Sequence, residues 1–206
     1  MKKFRKHWKP IIFTASVVIF LVLVALLLSD SLPTFDSWVY GIVSKAKCKP
    51  VTIIAKVLSF FCSVTFIVLS AVICMIFMKN KKRAFYIALN ILLCVLLNQT
   101  LKHLFLRPRP ENISLVFENG YSFPSGHSMV SLAFYGYFIY IIYHLRINKV
   151  RKYIYCTLLA LLVLFIGLSR IYLGVHYASD VLAGFALSMA YLIVYIKVFY
   201  KKMGIF

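Results

Sequence analysis

Six long apolar stretches, separated by short polar connections, dominate the pattern of hydrophobic and polar positions along this chain. A helix needs about 20 apolar residues to cross the roughly 30 Å hydrocarbon layer of a bilayer. Stretches close to that length, with no or almost no internal charge, are Ile11–Ser29, Val57–Met78, Ala84–Leu101, Pro124–Tyr143, Tyr153–Tyr172 and Val181–Tyr200. We therefore predict an all-α, polytopic membrane protein in which residues 1–206 form one domain of six transmembrane helices.

Composition supports a membrane location. Hydrophobic residues make up 63% of the chain and the mean hydropathy is +0.90, whereas soluble domains contain roughly half apolar residues. The first stretch follows the basic segment Met1–Lys6, as in a secretory signal peptide. It is longer than a usual signal core, and no A-x-A-like cleavage site follows it. We therefore predict a retained helix.

The formal net charge is +19. The cations are not clustered with aromatic residues for stacking, so nucleic-acid binding is not indicated. Their distribution along the chain instead indicates the membrane topology. Four segments contain most of the cations outside the predicted helices: Lys2, Lys3, Arg5, Lys6 and Lys9; Lys79, Lys81, Lys82 and Arg83; Arg146, Lys149, Arg151 and Lys152; and Lys201 and Lys202. By the positive-inside rule these segments, and with them both termini, are cytoplasmic.

The remaining connections then face the extracytoplasmic side. They are Asp30–Lys56, Lys102–Phe123 and Leu173–Asp180, and all five acidic residues lie in them or at their edges. Within the first, Phe35–Ala46 is predicted to be a short interfacial helix, with Trp38 and Tyr40 at the level of the lipid headgroups. Neither the five cysteines nor the acidic residues have the spacing of a metal site, so no metal ion or cofactor is predicted.

Cations recur at the start of the second outer connection, on the side where the positive-inside rule disfavours them. Lys102, Arg107 and Arg109 follow the third predicted helix directly. They indicate an anion there, although contact with lipid phosphates would have the same cause. Asn98 lies one helical turn before Lys102, so its amide could hold the ammonium or make an interhelical hydrogen bond.

The segment Pro124-Ser-Gly-His127 predicts an anion site at the start of the fourth helix. Pro124 is suited to the first helical position. The N–H groups of Ser125, Gly126 and His127 would then point outward from the positive end of the helix dipole. The Ser125 hydroxyl would add a donor, and Gly126 would allow close approach.

The third outer connection adds Arg170, His176 and Asp180. His176 and Asp180 are four residues apart, so they share one face if the sixth helix begins near His176. A carboxylate bound to one ring nitrogen fixes the tautomer and leaves the other nitrogen basic. This pattern indicates a histidine nucleophile, and a structural ion pair between two helices is the alternative.

Together these segments resemble the three signature motifs of the type 2 phosphatidic acid phosphatase superfamily, whose soluble relatives include vanadium haloperoxidases. The matching residues are Lys102, Arg109 and Pro110; Pro124, Ser125, Gly126 and His127; and Ser169, Arg170, His176 and Asp180. Arg107 is off the motif register, so we expect it to be a bystander or a lipid contact.

The resemblance implies a membrane lipid phosphatase without a metal ion. His176 would attack phosphorus to form a phosphohistidine, Asp180 would orient it, and His127 would be the general acid. The expected phosphate-binding residues are Lys102, Arg109, Ser125, Gly126 and Arg170. The expected substrate is phosphatidylglycerophosphate, phosphatidate or undecaprenyl pyrophosphate in the outer leaflet of the bilayer.

Three alternatives have different signatures. A transporter or channel would use charged or broken helices, and the first two predicted helices contain no charge or Gly/Pro break beyond Lys56. A non-catalytic lipid-binding protein would not need two histidines and an orienting carboxylate. A lipid phosphotransferase would use the same residues as a phosphatase but pass the phosphoryl group to another lipid or a sugar.

Overall fold

A computed structural model describes residues 8–199, with the side chain of Val64 excepted. These residues form eight α-helices and no strand, which confirms the all-α prediction. The helices are α1 (Trp8–Leu28), α2 (Pro33–Ser44), α3 (Lys49–Phe60), α4 (Val64–Phe77), α5 (Lys81–Phe105), α6 (Gly126–His144), α7 (Lys149–Tyr172) and α8 (Ala178–Phe199).

Four of these helices, α1, α5, α7 and α8, are long and apolar enough to cross a membrane by themselves, and α3 with α4 would add a fifth crossing if the bent pair is one span. Helix α6 packs against α5, α7 and α8 and is not among these candidate crossings. Six crossings and cytoplasmic termini therefore stay predictions. The basic residues 2–6 and 201–202 lie outside the described residues.

The prediction of one continuous helix over Val57–Met78 is wrong. Helix α3 begins at Lys49 and ends at Phe60, and the axis bends by 44° before α4 continues. The break has a local cause: Ser63 is the N-cap of α4, and its hydroxyl accepts a hydrogen bond from the Phe66 N–H at 3.2 Å. Part of the predicted outer connection is therefore helical. The sequence argument against a transporter relied on unbroken helices, and for this helix that premise is wrong.

The remaining helix ends lie a few residues from the predicted ones. Helix α2 confirms the short helix predicted over Phe35–Ala46, and its Trp38 is 65% exposed. Helix α6 begins at Gly126 with Ser125 as N-cap, so Pro124 precedes the helix instead of opening it. The cap hydrogen bond fixes this boundary, since Ser125 keeps extended backbone angles before the first turn.

The core surrounds α6. Met129, Ala133 and Tyr137 on this helix are fully buried, and they pack in one cluster with Ile166 of α7. Helix α8 approaches the start of α6 closely at Gly184, where a Cβ atom would lie 2.9 Å from the Ser125 carbonyl oxygen. This close contact brings the first turns of α6 and α8 together at one end of the bundle.

Candidate active site

A cavity of about 650 Å³ lies where the three motif segments meet. Its polar lining includes Lys102, Arg109, Gly126, His127 and His176. Its apolar lining comes mainly from α4 and α5, including Ile67, Val72, Met75, Leu92 and Val95. Asp180, Ser125 and Arg170 are buried close by, in contact with residues of this wall. The fold thus brings together all eight predicted site residues.

His176 lies in the connection between α7 and α8 and is 3% exposed. Its Nδ1 is 3.4 Å from Asp180 Oδ2, and that oxygen also accepts a hydrogen bond from the Tyr177 N–H at 2.9 Å. Its Nε2 is 3.2 Å from Nη1 of Arg109. With a carboxylate on one side and a guanidinium donor on the other, the favoured tautomer has the proton on Nδ1 and a lone pair on Nε2.

The surroundings keep the ring of His176 neutral. Burial lowers the pKa of His176 well below its ordinary value, and the positive charges of Arg109, Arg170 and Lys102 lower this pKa further. A neutral imidazole with a free Nε2 lone pair is the nucleophilic form. Burial and the neighbouring cations thus favour the neutral form of His176.

Arg109 is fixed by carbonyl groups of two connections between helices. Its Nε donates to Gly120 O at 2.9 Å, its Nη1 to Val175 O at 2.8 Å and its Nη2 to Asn119 O at 3.0 Å. These bonds join the connection before α6 to the one before α8. The guanidinium is thus held beside His176 by these three backbone carbonyl groups.

Arg170 is paired with an acid that the sequence did not indicate. Its Nη2 donates to Glu118 Oε1 at 2.5 Å and its Nη1 to Ser59 Oγ at 2.7 Å. The other Glu118 oxygen is 3.9 Å from Nη2 of Arg109. Arg170 Nε is buried without a hydrogen-bond partner in the described part of the chain. A carboxylate therefore lies among the cations. Its position in the chain between the first two motifs was the available signal.

The start of α6 differs from the prediction in one donor. The Ser125 N–H donates to the Asp180 carbonyl oxygen at 3.0 Å, so it is not directed at an anion. The Ser125 hydroxyl accepts hydrogen bonds from the N–H and hydroxyl of Ser128, which leaves its own proton to donate. The N–H groups of Gly126 and His127 begin the helix and have no preceding carbonyl in it. These two N–H groups are the backbone donors that the helix itself leaves without an acceptor in this turn.

Asn98 supports the start of α6 and not the Lys102 ammonium. Its Nδ2 donates to Pro124 O at 3.0 Å, and its Oδ1 is 3.0 Å from the position that a Cβ of Gly126 would occupy. The Lys102 ammonium instead donates to the carbonyl oxygen of Tyr121. Of the two predicted roles for Asn98, the structure thus favours the interhelical hydrogen bond.

The expectation that Arg107 is a bystander or a lipid contact is wrong. Only 10% of its side chain is exposed, because its guanidinium lies between two buried carboxylates. Nη1 donates to Asp180 Oδ1 at 2.6 Å, and Nη2 donates to Asp36 Oδ2 at 2.7 Å. The partner Asp36 belongs to α2, 71 residues earlier in the chain, so motif spacing could not reveal it.

Residues 8–199 contain no group of three or more His, Cys, Asp or Glu side chains that could hold a metal ion. The cavity wall offers cationic and neutral donors and imidazole rings, together with the carboxylate of Glu118. Such a set is chemically matched to an anion with several oxygen atoms, such as a phosphoryl group.

Comparisons with known proteins agree with this chemistry. The family model of the PAP2 superfamily, the type 2 phosphatidic acid phosphatases, matches residues 83–204. Phosphatidylglycerophosphatase B of Bacillus subtilis (strain 168) is 42% identical over 96 residues. That alignment covers 46% of this chain and 47% of the relative, so the chain spans about half the length of this curated relative.

Two solved structures share the fold. The transmembrane PAP2 type phosphatidylglycerolphosphate phosphatase of Bacillus subtilis superposes with a TM-score of 0.83 at 26% identity, covering 93% of this chain and 96% of the other. Aquifex aeolicus LpxE, at 24% identity, superposes with a TM-score of 0.61 over 77% of this chain and 93% of its own, which shows the fold alone. The resemblance that the motifs predicted is confirmed: this multi-pass membrane chain belongs to the PAP2 superfamily.

Proposed function

We propose that this protein hydrolyses the phosphate monoester or pyrophosphate of a membrane lipid, through a covalent phosphohistidine at His176 and without a metal ion. The observation that carries this proposal is the shape and chemistry of one cavity. Its polar part includes His127, His176, Lys102 and Arg109, and its apolar part continues between α4 and α5. A lipid phosphate has the same division into an anionic headgroup and an apolar chain.

In the first step His176 Nε2 donates its lone pair to phosphorus, and the bond between phosphorus and the lipid oxygen breaks. The electron pair of that bond stays on the leaving oxygen, which takes a proton from His127. The Nδ1–H of His176 points toward the Asp180 carboxylate, 3.4 Å away, which stabilises the positive charge on the phosphorylated ring.

In the second step water attacks the phosphohistidine. His127 accepts a proton from this water, the bond between phosphorus and nitrogen breaks, and its electron pair returns to His176 Nε2. Inorganic phosphate is released.

Positioning and charge neutralisation supply most of the catalysis in phosphoryl transfer. Lys102, Arg109 and Arg170 would hold the phosphoryl oxygens, with the Ser125 hydroxyl and the Gly126 N–H. Both the unpartnered Nε of buried Arg170 and the free hydroxyl proton of Ser125 are donors that an incoming oxygen would satisfy.

Phosphatidylglycerophosphate is the first substrate to test, because two relatives are named for that activity. Purified wild-type protein would be incubated with phosphatidylglycerophosphate, phosphatidate and undecaprenyl pyrophosphate in detergent, with release of inorganic phosphate as the readout. We expect release from at least one lipid and none with His176→Asn. Conversion of a substrate without release of inorganic phosphate would replace the proposal by a phosphotransferase, and no conversion of any lipid would overturn it.

We propose further that the site opens on the extracytoplasmic side. A Cys48→Ser background removes the exposed native cysteine, and single cysteines are then placed at exposed Glu111, near the site, and at exposed Lys82, at the start of α5. In intact cells an impermeant maleimide should label position 111 and not position 82. The reverse pattern would place the site in the cytoplasm.

A further inference from the structure

A buried charge cluster lies behind His176, on the side of the ring away from the cavity. Arg107 donates to Asp180 at 2.6 Å and to Asp36 at 2.7 Å. The side chains of these two acids are 0% and 2% exposed, respectively. One guanidinium is thus shared between the acid that contacts His176 and an acid from α2.

Asp36 is anchored independently of Arg107. Its Oδ1 accepts a hydrogen bond from the Ser179 N–H at 2.8 Å, and its Oδ2 accepts one from the Ser179 hydroxyl at 2.7 Å. These two bonds are enough to join α2 to the first turn of α8. The guanidinium also packs 4.0 Å from the centre of the Tyr177 ring, so its position is fixed on a second side.

We propose that Arg107 and Asp36 are positioning residues that set the orientation and the effective charge of Asp180, and through Asp180 the basicity of His176. This inference rests on the proposed function, in which His176 is the nucleophile. A guanidinium between two carboxylates compensates each of them only in part. Asp180 therefore keeps enough negative charge to stabilise the phosphorylated imidazole, without raising the basicity of His176 so far that the ring is protonated at neutral pH.

The other charged groups of the site lie on the cavity side of the ring. They are Lys102 of α5, His127 of α6, Arg170 of α7, and Arg109 and Glu118 of the connection between α5 and α6. Variants of Arg107 and Asp36 leave all of these unchanged. Any change in the titration of His176 in such variants thus reports the cluster behind the ring.

The test is the pH dependence of kcat/KM on the lipid that wild-type protein hydrolyses best. In Arg107→Gln the Asp180 charge is uncompensated, so protonation of His176 or of Asp180 becomes easier and the acid limb moves to higher pH, by about one unit. In Asp36→Asn the whole guanidinium charge is left to Asp180, so the acid limb moves to lower pH. The Asn side chain retains an acceptor for Ser179.

Opposite shifts distinguish charge control from a structural role, which would reduce stability and rate without moving the limb. In Arg107→Gln we also expect kcat to fall about 10- to 100-fold with a smaller change in KM, because attack and not binding is affected. Arg107→Lys keeps a cation at this position, so its acid limb should lie closer to wild type than that of Arg107→Gln. The double variant Arg107→Gln/Asp36→Asn removes one charge of each sign and should do the same.

Matched controls come from the same outer region. Lys47→Gln removes an exposed cation that donates to Tyr40, and Asp30→Asn removes an exposed acid at a left-handed backbone position that Asn tolerates. Both control variants should keep the acid limb of kcat/KM at the wild-type pH. If Arg107→Gln fails to fold, the downward shift in Asp36→Asn decides the matter.

A second readout does not need turnover. The rate at which diethylpyrocarbonate modifies His176, followed by mass spectrometry across pH, reports the protonation of this ring. It should shift in the same two directions as the kinetic limb. Unchanged profiles, or shifts of both variants in one direction, overturn the inference. If wild-type protein hydrolyses no lipid, the proposed function fails, and the modification profile alone then decides the inference.

Discussion

The two sides of His176 have opposite charge balances. Behind the ring, at Nδ1, one cation, Arg107, faces two carboxylates, Asp180 and Asp36. On the cavity side three cations, Lys102, Arg109 and Arg170, surround one carboxylate, Glu118. The acids behind the ring are fully buried, whereas the Glu118 side chain is 30% exposed.

Under the proposed mechanism this difference corresponds to two tasks. The side behind the ring must hold one carboxylate in place while a charge appears on the imidazole, and buried ion pairs with further hydrogen bonds provide such fixed positions. The cavity side must accept and release a phosphoryl group, so its carboxylate has to be replaceable. The predictions that follow alter one side at a time.

The largest effect is expected at the ring itself. His176→Ala should lower turnover of the purified protein by about 10⁴-fold or more, because the covalent path has no substitute nucleophile. His144→Ala, at the opposite end of α6 from His127, is the matched control and should keep wild-type turnover. Substantial activity in purified His176→Ala protein would contradict the mechanism.

On the cavity side, Arg170→Ala should lower kcat by about 10²–10³-fold, the usual loss for one donor aimed at transition-state charge. Lys102→Ala and Ser125→Ala should also leave measurable activity, because other donors remain. Arg151→Gln changes an exposed arginine at the other end of the same helix and should have no effect. Equal losses in Arg170→Ala and Arg151→Gln would indicate a general effect on folding.

A change at Glu118 should have a smaller effect, and it should strengthen anion binding instead of weakening activity. Its carboxylate competes with any anion for Arg170, so Glu118→Gln should tighten competitive inhibition by vanadate about three- to tenfold. Glu111→Gln, in the same connection but exposed, should leave the inhibition constant unchanged. Weaker vanadate binding in Glu118→Gln would mean that this acid positions Arg170 instead of being replaced by the ligand.

The smallest effect is expected from chelation. The described residues offer no carboxylate cluster for a divalent ion, and the cations of the cavity would neutralise the phosphoryl charge directly. Activity should therefore be the same with and without EDTA. Loss on chelation and recovery with Mg²⁺ would require a metal-dependent mechanism.

The sequence predicted what depends on short spacings. His176 and Asp180 are four residues apart, and Ser125, Gly126 and His127 are consecutive, so local geometry alone places each group. The three motifs also predicted the family, now confirmed by the match over residues 83–204.

What the sequence could not predict depends on contacts between distant segments. Asp36 meets Arg107 across 71 residues, and Ser59 meets Arg170 across 111. The break between α3 and α4 was also missed, because average hydropathy does not register the cap at Ser63 that starts a new helix. Both failures concern the N-terminal half, which contains no motif and yet contributes to the site.

The central claim is a covalent bond between phosphorus and His176, and trapping that intermediate tests it most directly. Wild-type protein would be mixed with ³²P-labelled phosphatidylglycerophosphate, or with the labelled form of whichever lipid it hydrolyses, and quenched with base within the first turnover. The account predicts a base-stable, acid-labile label that mass spectrometry locates at His176. The same label should accumulate in His127→Ala, because this variant lacks the base that activates water. Turnover of the same lipid with no label on the protein, or with the label on another residue, would contradict the account.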